Sequence, residues 1–294
     1  MKALEALLRE PIPAPPRDLE EHLARVEALD ARFDDPVDRA AVGGLIADRL
    51  GYAFAAGYGA ALQRLVPALG ARRVCLAATE SGGGHPRAIQ TKLAGGRLVG
   101  TKTFATLAPV ADELLVVASI GEREGKNELR VVRVKRGQAG VTIEPRPPWP
   151  VAPEIPHAIV ELDTAVDEAD VLPGDGYDRY LKPFRTLEDV HVVAATVGYL
   201  LGVGRTVWDR DVHEALSASF AALRALGAAD PSHFGTHVAL AGAQEALRRT
   251  IAALDWMRVD GPVRERWERD APLLEVAGKA RAARREAAWR VRTP

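Results

Sequence analysis

The sequence predicts a multi-domain α+β protein: a short N-terminal helical region, a central small β-barrel and a C-terminal four-helix bundle. Two observations predict this. Apolar residues recur at helical spacing at both ends of the chain and at strand spacing between them. The strand-period stretches are short and divided by turns rich in glycine, proline or charge, as in a compact barrel or sandwich. The boundaries fall at 1–72, 73–174 and 175–294.

The first forty residues carry two short charged helices, Lys2–Glu10 and Asp18–Leu29, divided by the proline cluster Pro11-Ile12-Pro13-Ala14-Pro15-Pro16. Proline fixes φ and removes an amide donor, so the cluster is a linker or turn. From Val37 to Leu69 the apolar residues Leu45, Ile46, Leu50, Phe54, Tyr58, Leu62 and Leu65 follow helical spacing and give a helical pair. Seven strand-period segments follow: RVCLAAT, IQTKLA, GRLVGTKTF, ELLVVASI, ELRVVRV, GVTIE and AIVEL. Helices are then expected at Leu187–Gly204, Asp209–Leu226, Ser232–Met257 and Arg264–Arg292, each with an apolar stripe and a charged face.

The composition narrows the function classes. With 39 basic against 40 acidic residues the net charge is −1, so no global field draws in a nucleic acid or an anionic membrane. The longest nearly apolar run, Val192–Gly204, is short of the roughly 20 residues a membrane span needs. The N-terminus MKALEALLRE lacks the apolar core of a secretory signal. The lone cysteine, Cys75, excludes an internal disulfide framework and sits in an apolar strand as a buried, inert thiol; a cytoplasmic protein is expected.

Two motifs carry chemistry. Ala77-Ala78-Thr79-Glu80-Ser81-Gly82-Gly83-Gly84 opens the β region, and Gly100-Thr101-Lys102-Thr103-Phe104-Ala105-Thr106, followed by Ala111-Asp112, comes about a strand pair later. The glycines at 82 to 84 permit positive φ and close approach of a phosphate or of backbone. Taken singly, the first is an ordinary turn and the second an ordinary edge strand. Together and in this order they resemble the acyl-CoA dehydrogenase family, in its threonine-glutamate-proline-glycine turn and its glycine-threonine-lysine, aromatic-x-threonine run. Gly140-Val141 and Val171-Leu172-Pro173-Gly174 match it as well. The departures are Ser81 for proline, His85 for serine, Pro86 for aspartate and Phe104 for tryptophan.

The resemblance implies an FAD cradle. In it Thr79 and the amides around Ser81 meet the pyrimidine edge of the flavin, Phe104 backs the ring and Thr106 approaches N5. It implies an acyl thioester or related small molecule as substrate, a homodimer or homotetramer built through the C-terminal bundle, and an electron-transfer flavoprotein as partner. It also demands a carboxylate base. The family's commoner position, in Arg269-Asp270-Ala271-Pro272-Leu273-Leu274-Glu275-Val276-Ala277-Gly278, holds Ala277. A minority of members place the base at the start of the first C-terminal helix, and counting back from Gly198 in VVAATVGYLLG gives Glu188. There Asp189 replaces the usual arginine. Thr186-Leu187-Glu188-Asp189 equally has the make-up of a capped helix start with acidic first-turn residues.

Other features the family uses are reduced. The N-terminal helical region is shorter, and residues 205–214 lack the arginine-x-x-phenylalanine-glycine motif that holds the adenosine half of the cofactor. A catalytically degenerate relative, its FAD lost and its fold kept as a binding or assembly partner, is therefore the alternative, and a related flavin monooxygenase is a third option. His233 and His237, one helical turn apart without an adjacent glutamate, read as surface or capping residues rather than a zinc site. Lys279, Arg281, Arg284, Arg285, Arg290 and Arg292 read as a solvated helix face, and Trp208, Trp256, Trp267 and Trp289 as core.

Overall fold

The computed structural model describes residues 2–292. Two compact units divide the chain: a helical unit formed by residues up to Arg64, Pro150–Glu154 and the chain from Thr186 onward, and a β unit formed by Leu65–Trp149 and Ile155–Arg185.

The helical unit opens with α1 (Lys2–Arg9), α2 (Leu19–Glu27), α3 (Pro36–Leu45) and α4 (Leu50–Leu65). Their starts follow local chemistry. The Asp18 side chain accepts from the Glu21 amide to cap α2, and Asp35 accepts from Val37 ahead of Pro36 to cap α3. After the β region come α5 (Lys182–Gly204), of which Thr186 onward belongs to this unit, α6 (Arg210–Ala228), α7 (Phe234–Ala252), α8 (Gly261–Asp270) and α9 (Gly278–Arg292).

Helix α5 is the axis of this unit. Val190 to Leu201 is buried without a break, and 83% of the most apolar window in Tyr177–Gly204 is covered by protein. That segment is long and apolar enough to cross a membrane, but it is built as a core helix. It meets α3 through reciprocal small residues. A methyl on Gly44 would lie 1.9 Å from the Ala195 carbonyl oxygen, and one on Gly198 would lie 1.8 Å from that of Ala41. Ala41-x-x-Gly44 and Ala195-x-x-Gly198 thus let two backbones touch where any side chain would hold them apart.

Two sequence expectations for these helices fail. Helix α5 starts at Lys182, after a π-helical turn over Tyr177–Leu181, rather than at Leu187. Pro183, which has no amide to donate, falls where the π-helical turn passes into α5. The single helix expected over Arg264–Arg292 is two, because Pro272 cannot donate within a continuing helix and a 3-10 turn, Ala271–Glu275, intervenes.

The β unit holds β1 (Val74–Ala77), β2 (Lys92–Ala94), β3 (Arg97–Thr106), β4 (Glu113–Arg123), β5 (Lys126–Lys135), β6 (Val141–Pro145) and β7 (His157–Ala165). These coincide with the seven strand-period segments. The sheet is mixed: the path runs β1-β4-β2-β3-β7-β6, with β5 paired to β4, and both the β1–β4 and β2–β4 pairings are parallel. Past the end of β1 an isolated bridge joins Thr79 to Phe104 of β3, so β1, β4, β2 and β3 close a hydrogen-bonded ring. The apolar core of the β unit holds Leu98, Leu114, Val116, Val132 and Val160 at or near zero exposure. Cys75 lies in the same core as a free, buried thiol. Gly140 is required by contact as well as by its φ of +80°: a methyl there would meet the Asp163 carbonyl oxygen of β7 at 2.1 Å.

Candidate functional site

The two sequence motifs meet inside the β unit through a buried ion pair. Lys102, with no exposed surface, donates from Nζ to Oε1 of Glu80 at 2.6 Å and to the Val117 carbonyl at 2.5 Å. Glu80 also accepts from the amides of Gln90 (2.7 Å) and Thr91 (3.1 Å) and from the Thr91 hydroxyl (2.8 Å). Burial alone would push the Glu80 carboxyl up. The hydrogen bond and charge of Lys102, with the Gln90 amide and the Thr91 hydroxyl, hold it below its ordinary range instead. Both charges are then satisfied, the condition for keeping such a pair in a core.

That pair anchors a ribbon carrying the expected site residues. The Thr103 amide donates to the Thr79 carbonyl at 2.9 Å, and Thr79 bridges Phe104. Between Lys102 and Ala105 the β3–β7 register shifts by one: Lys102 faces Val160 and Ala105 faces Ala158, so Thr103 and Phe104 together oppose Ile159. The bulge keeps Lys102 and Ala105 both buried while Phe104 is only half-buried. Thr106, half-buried, pairs with His157 at the start of β7. Leu107 next to it has φ +63°, a left-handed conformation that a leucine rarely adopts. Ser81 sits exposed in a tight turn closed by the Gly83 amide on the Glu80 carbonyl (2.8 Å), with Gly83 at φ +95°. Arg185 donates to the Gly84 carbonyl at 3.2 Å.

Phe104 belongs to a cluster that the motifs did not disclose. The His157 ring stacks on it at 4.2 Å between centroids, and Trp149 stands edge-on to both, at 6.3 Å from Phe104 and 6.2 Å from His157. The Arg146 guanidinium lies 5.7 Å from the Phe104 centroid and donates to the Thr103 carbonyl. Nδ1 of His157 is buried and has no hydrogen-bond partner among the described residues. Burial, with the charge of Arg146, draws the His157 pKa down to about 4, so the ring is neutral near pH 7.

Glu188 belongs to the helical unit. It is half-buried and lies in the second turn of α5, since that helix starts at Lys182. The capped-start reading of Thr186–Asp189 is thereby corrected: these are interior helical positions, too far along for first-turn dipole or cap roles. Its neighbours are all held. The Thr186 hydroxyl meets Nε2 of His237 at 3.3 Å, and the His191 imidazole donates to the Leu187 carbonyl at 2.7 Å. Buried Asp189 takes Nε of Arg281 at 2.7 Å and Nη2 of Arg284. These two arginines are therefore part of the α5–α9 packing, not of a solvated face; the side chain of Arg292 lies outside the described part of the chain.

The remaining expectations divide. His233 caps α7 by accepting from the Gly235 amide, and among the described residues no group of ligands could hold a metal ion. Trp208 and Trp267 are buried, with Trp256 stacked between helices against Trp267 at 4.4 Å and edge-on to Trp208. Trp289 is exposed rather than core. Arg205 spends its guanidinium on the carbonyls of Leu7 and Glu10. Ala277, at the commoner base position, lies between the 3-10 turn and α9.

The residues present fit a flat ring with hydrogen-bonding edges: two threonines, an aromatic surface and a buried imidazole nitrogen that lacks a partner. No protein-family model and no curated protein matches the chain. Solved structures do. Butyryl-CoA dehydrogenase from Megasphaera elsdenii superposes with a TM-score of 0.68 at 13% identity, covering 92% of this chain and 89% of its own. The prolyl acyl carrier protein oxidase AnaB gives 0.65 at 14%, covering 100% and 97%, and glutaryl-CoA dehydrogenase from Mycobacterium smegmatis 0.62 at 14%, covering 98% and 92%. The chain has the acyl-CoA dehydrogenase fold.

Proposed function

We propose that the chain is a flavin-dependent oxidoreductase acting on the CH–CH group of an acyl thioester or a related substrate. The observation that carries this reading is the Glu80–Lys102 pair: it ties the two motifs into one ribbon and so keeps Thr79, Phe104 and Thr106 together on it. Bound there, the flavin supplies a hydride acceptor. Thr79 and the Ser81 turn serve its pyrimidine edge, Phe104 backs the ring and Thr106 serves N5. Glu188 removes the α-proton of the substrate, and the contacts fixing Thr186, Leu187 and Asp189 orient the turn that bears it. The thioester is carried by coenzyme A or by a carrier protein; solved relatives named for each kind of substrate share the fold. A homo-oligomer and an electron-transferring flavoprotein partner complete the proposal.

Two observations favour a second reading, a degenerate member that keeps the fold for assembly. Ala277 stands at the commoner base position, and Arg205 is committed to α1. One preparation separates the readings. Purified protein that carries or takes up FAD, and whose flavin bands bleach with an acyl thioester, supports the enzyme; Glu188→Gln should slow that bleaching by about 100-fold or more. Protein that cannot be reconstituted with FAD supports the second reading, and bleaching unchanged in Glu188→Gln removes Glu188 as base.

A further inference from the structure

A residue outside both motifs shares the Phe104 site. His157 retains only 9% of its surface exposure, stacks on Phe104 at 4.2 Å and pairs in register with Thr106. Its Nδ1 is buried with no partner among the described residues. A buried polar atom without a partner carries an uncompensated desolvation cost, which a ligand's hydrogen bond would offset. A neutral imidazole offers one donor and one acceptor, so either a carbonyl or an N–H of a ligand could satisfy Nδ1, with the tautomer following. The imidazole is held uncharged here by burial and by Arg146, which keeps both options open near pH 7.

The surroundings suit a planar ligand rather than a water or an ion. Trp149 stands edge-on to both Phe104 and His157 and is itself exposed, so the cluster presents aromatic surface outward. Backbone irregularity converges on the same place: the bulge at Thr103–Phe104 and the left-handed Leu107 flank Thr106. Such strain persists where the surrounding structure holds a particular side-chain geometry.

We infer that His157 is a binding residue of the ring site, its Nδ1 forming a hydrogen bond with a polar edge of the isoalloxazine. The inference rests on the flavin reading above. It assigns a side chain that neither motif contains and that a sequence match to the two motifs would not reach.

The test uses the full chain reconstituted with FAD. His157→Phe keeps a flat ring on Phe104 and removes the nitrogen; His157→Asn restores a polar atom near the place of Nδ1. Loss of one hydrogen bond should weaken FAD binding about tenfold in His157→Phe and move the flavin bands, with His157→Asn recovering most of both. A variant merely short of packing would not be rescued by the smaller asparagine. Wild-type protein that binds FAD while His157→Phe matches it in affinity and spectrum overturns the inference and leaves the function standing. Wild-type protein that takes up no FAD overturns both. Should His157→Phe fail to fold, the nitrogen resonance of His157 Nδ1 in labelled wild-type protein decides: a shift on adding FAD supports the contact, and an unmoved resonance overturns it.

Discussion

The two units solve the problem of a unique core in opposite ways. The β unit places a full ion pair, Glu80 and Lys102, where both side chains are buried, and surrounds it with amide and hydroxyl donors. The helical unit removes side chains altogether, so that α3 and α5 touch at Gly44 and Gly198. A buried charge pair penalises any other pairing of its strands, because a slipped register leaves charges unmatched. Backbone contact penalises any bulk. The first defect is electrostatic and the second steric, and they should respond differently to substitution.

The largest effect should come from splitting the pair. Glu80→Ala or Lys102→Ala leaves one buried charge and should cost about 3–5 kcal/mol of unfolding free energy, measured by urea titration. The joint replacement Glu80→Gln with Lys102→Met should cost less than either; equal or greater loss in the double variant would mean that packing, not charge, matters there. The steric counterpart is Gly198→Ala, expected to cost about 1–3 kcal/mol because its methyl falls 1.8 Å from a backbone oxygen. Gly59→Ala, on a helix position with nothing within 4 Å, is the matched control and should be neutral or stabilising.

The pH response sharpens the contrast. His22 and His191 in the helical unit and His157 in the β unit each have their pKa drawn down by burial to about 4. In the unfolded chain each would take up a proton near pH 6.5, while the folded form does not. The unfolded state therefore binds more protons below pH 6.5, and stability falls from there toward pH 4, by up to about 3 kcal/mol per histidine. Thermal unfolding midpoints that stay level from pH 7 to 4.5 would contradict this. A smaller effect is expected at Asp189→Asn, which loosens Arg281 and Arg284 and should cost about 1–2 kcal/mol. Limited proteolysis should then cut near α9 sooner than elsewhere.

Much of the β unit was legible because strand period is local. Each strand-period segment became a strand, and the two motifs came together as their order implied. The buried pair had a visible trace as well. Leu98, Gly100 and Lys102 follow one face of β3, so a charge appears at an inward position and needs an acid, which the first motif supplies as Glu80. His157 left no such trace, since its role depends on the bulge that brings β7 against Phe104. The helix extends five residues ahead of the expected Leu187 because a π-helical turn over Tyr177–Leu181 leads into Lys182, a local irregularity that apolar spacing does not reveal. The pairing of Asp189 with Arg281 and Arg284 spans more of the chain than any periodicity rule can see.

The bulge at Thr103–Phe104 also bears on how such chains diverge. Two residues there oppose one, so the inward face of β3 passes from even to odd positions between Lys102 and Ala105. Deleting either residue would restore plain alternation with Ala105 still opposite Ala158 and Thr106 still opposite His157. Substitutions along this strand can accumulate one at a time. The strand can also lose one residue at the bulge without a slip in the pairing beyond it, giving up only the local bend that the extra residue makes.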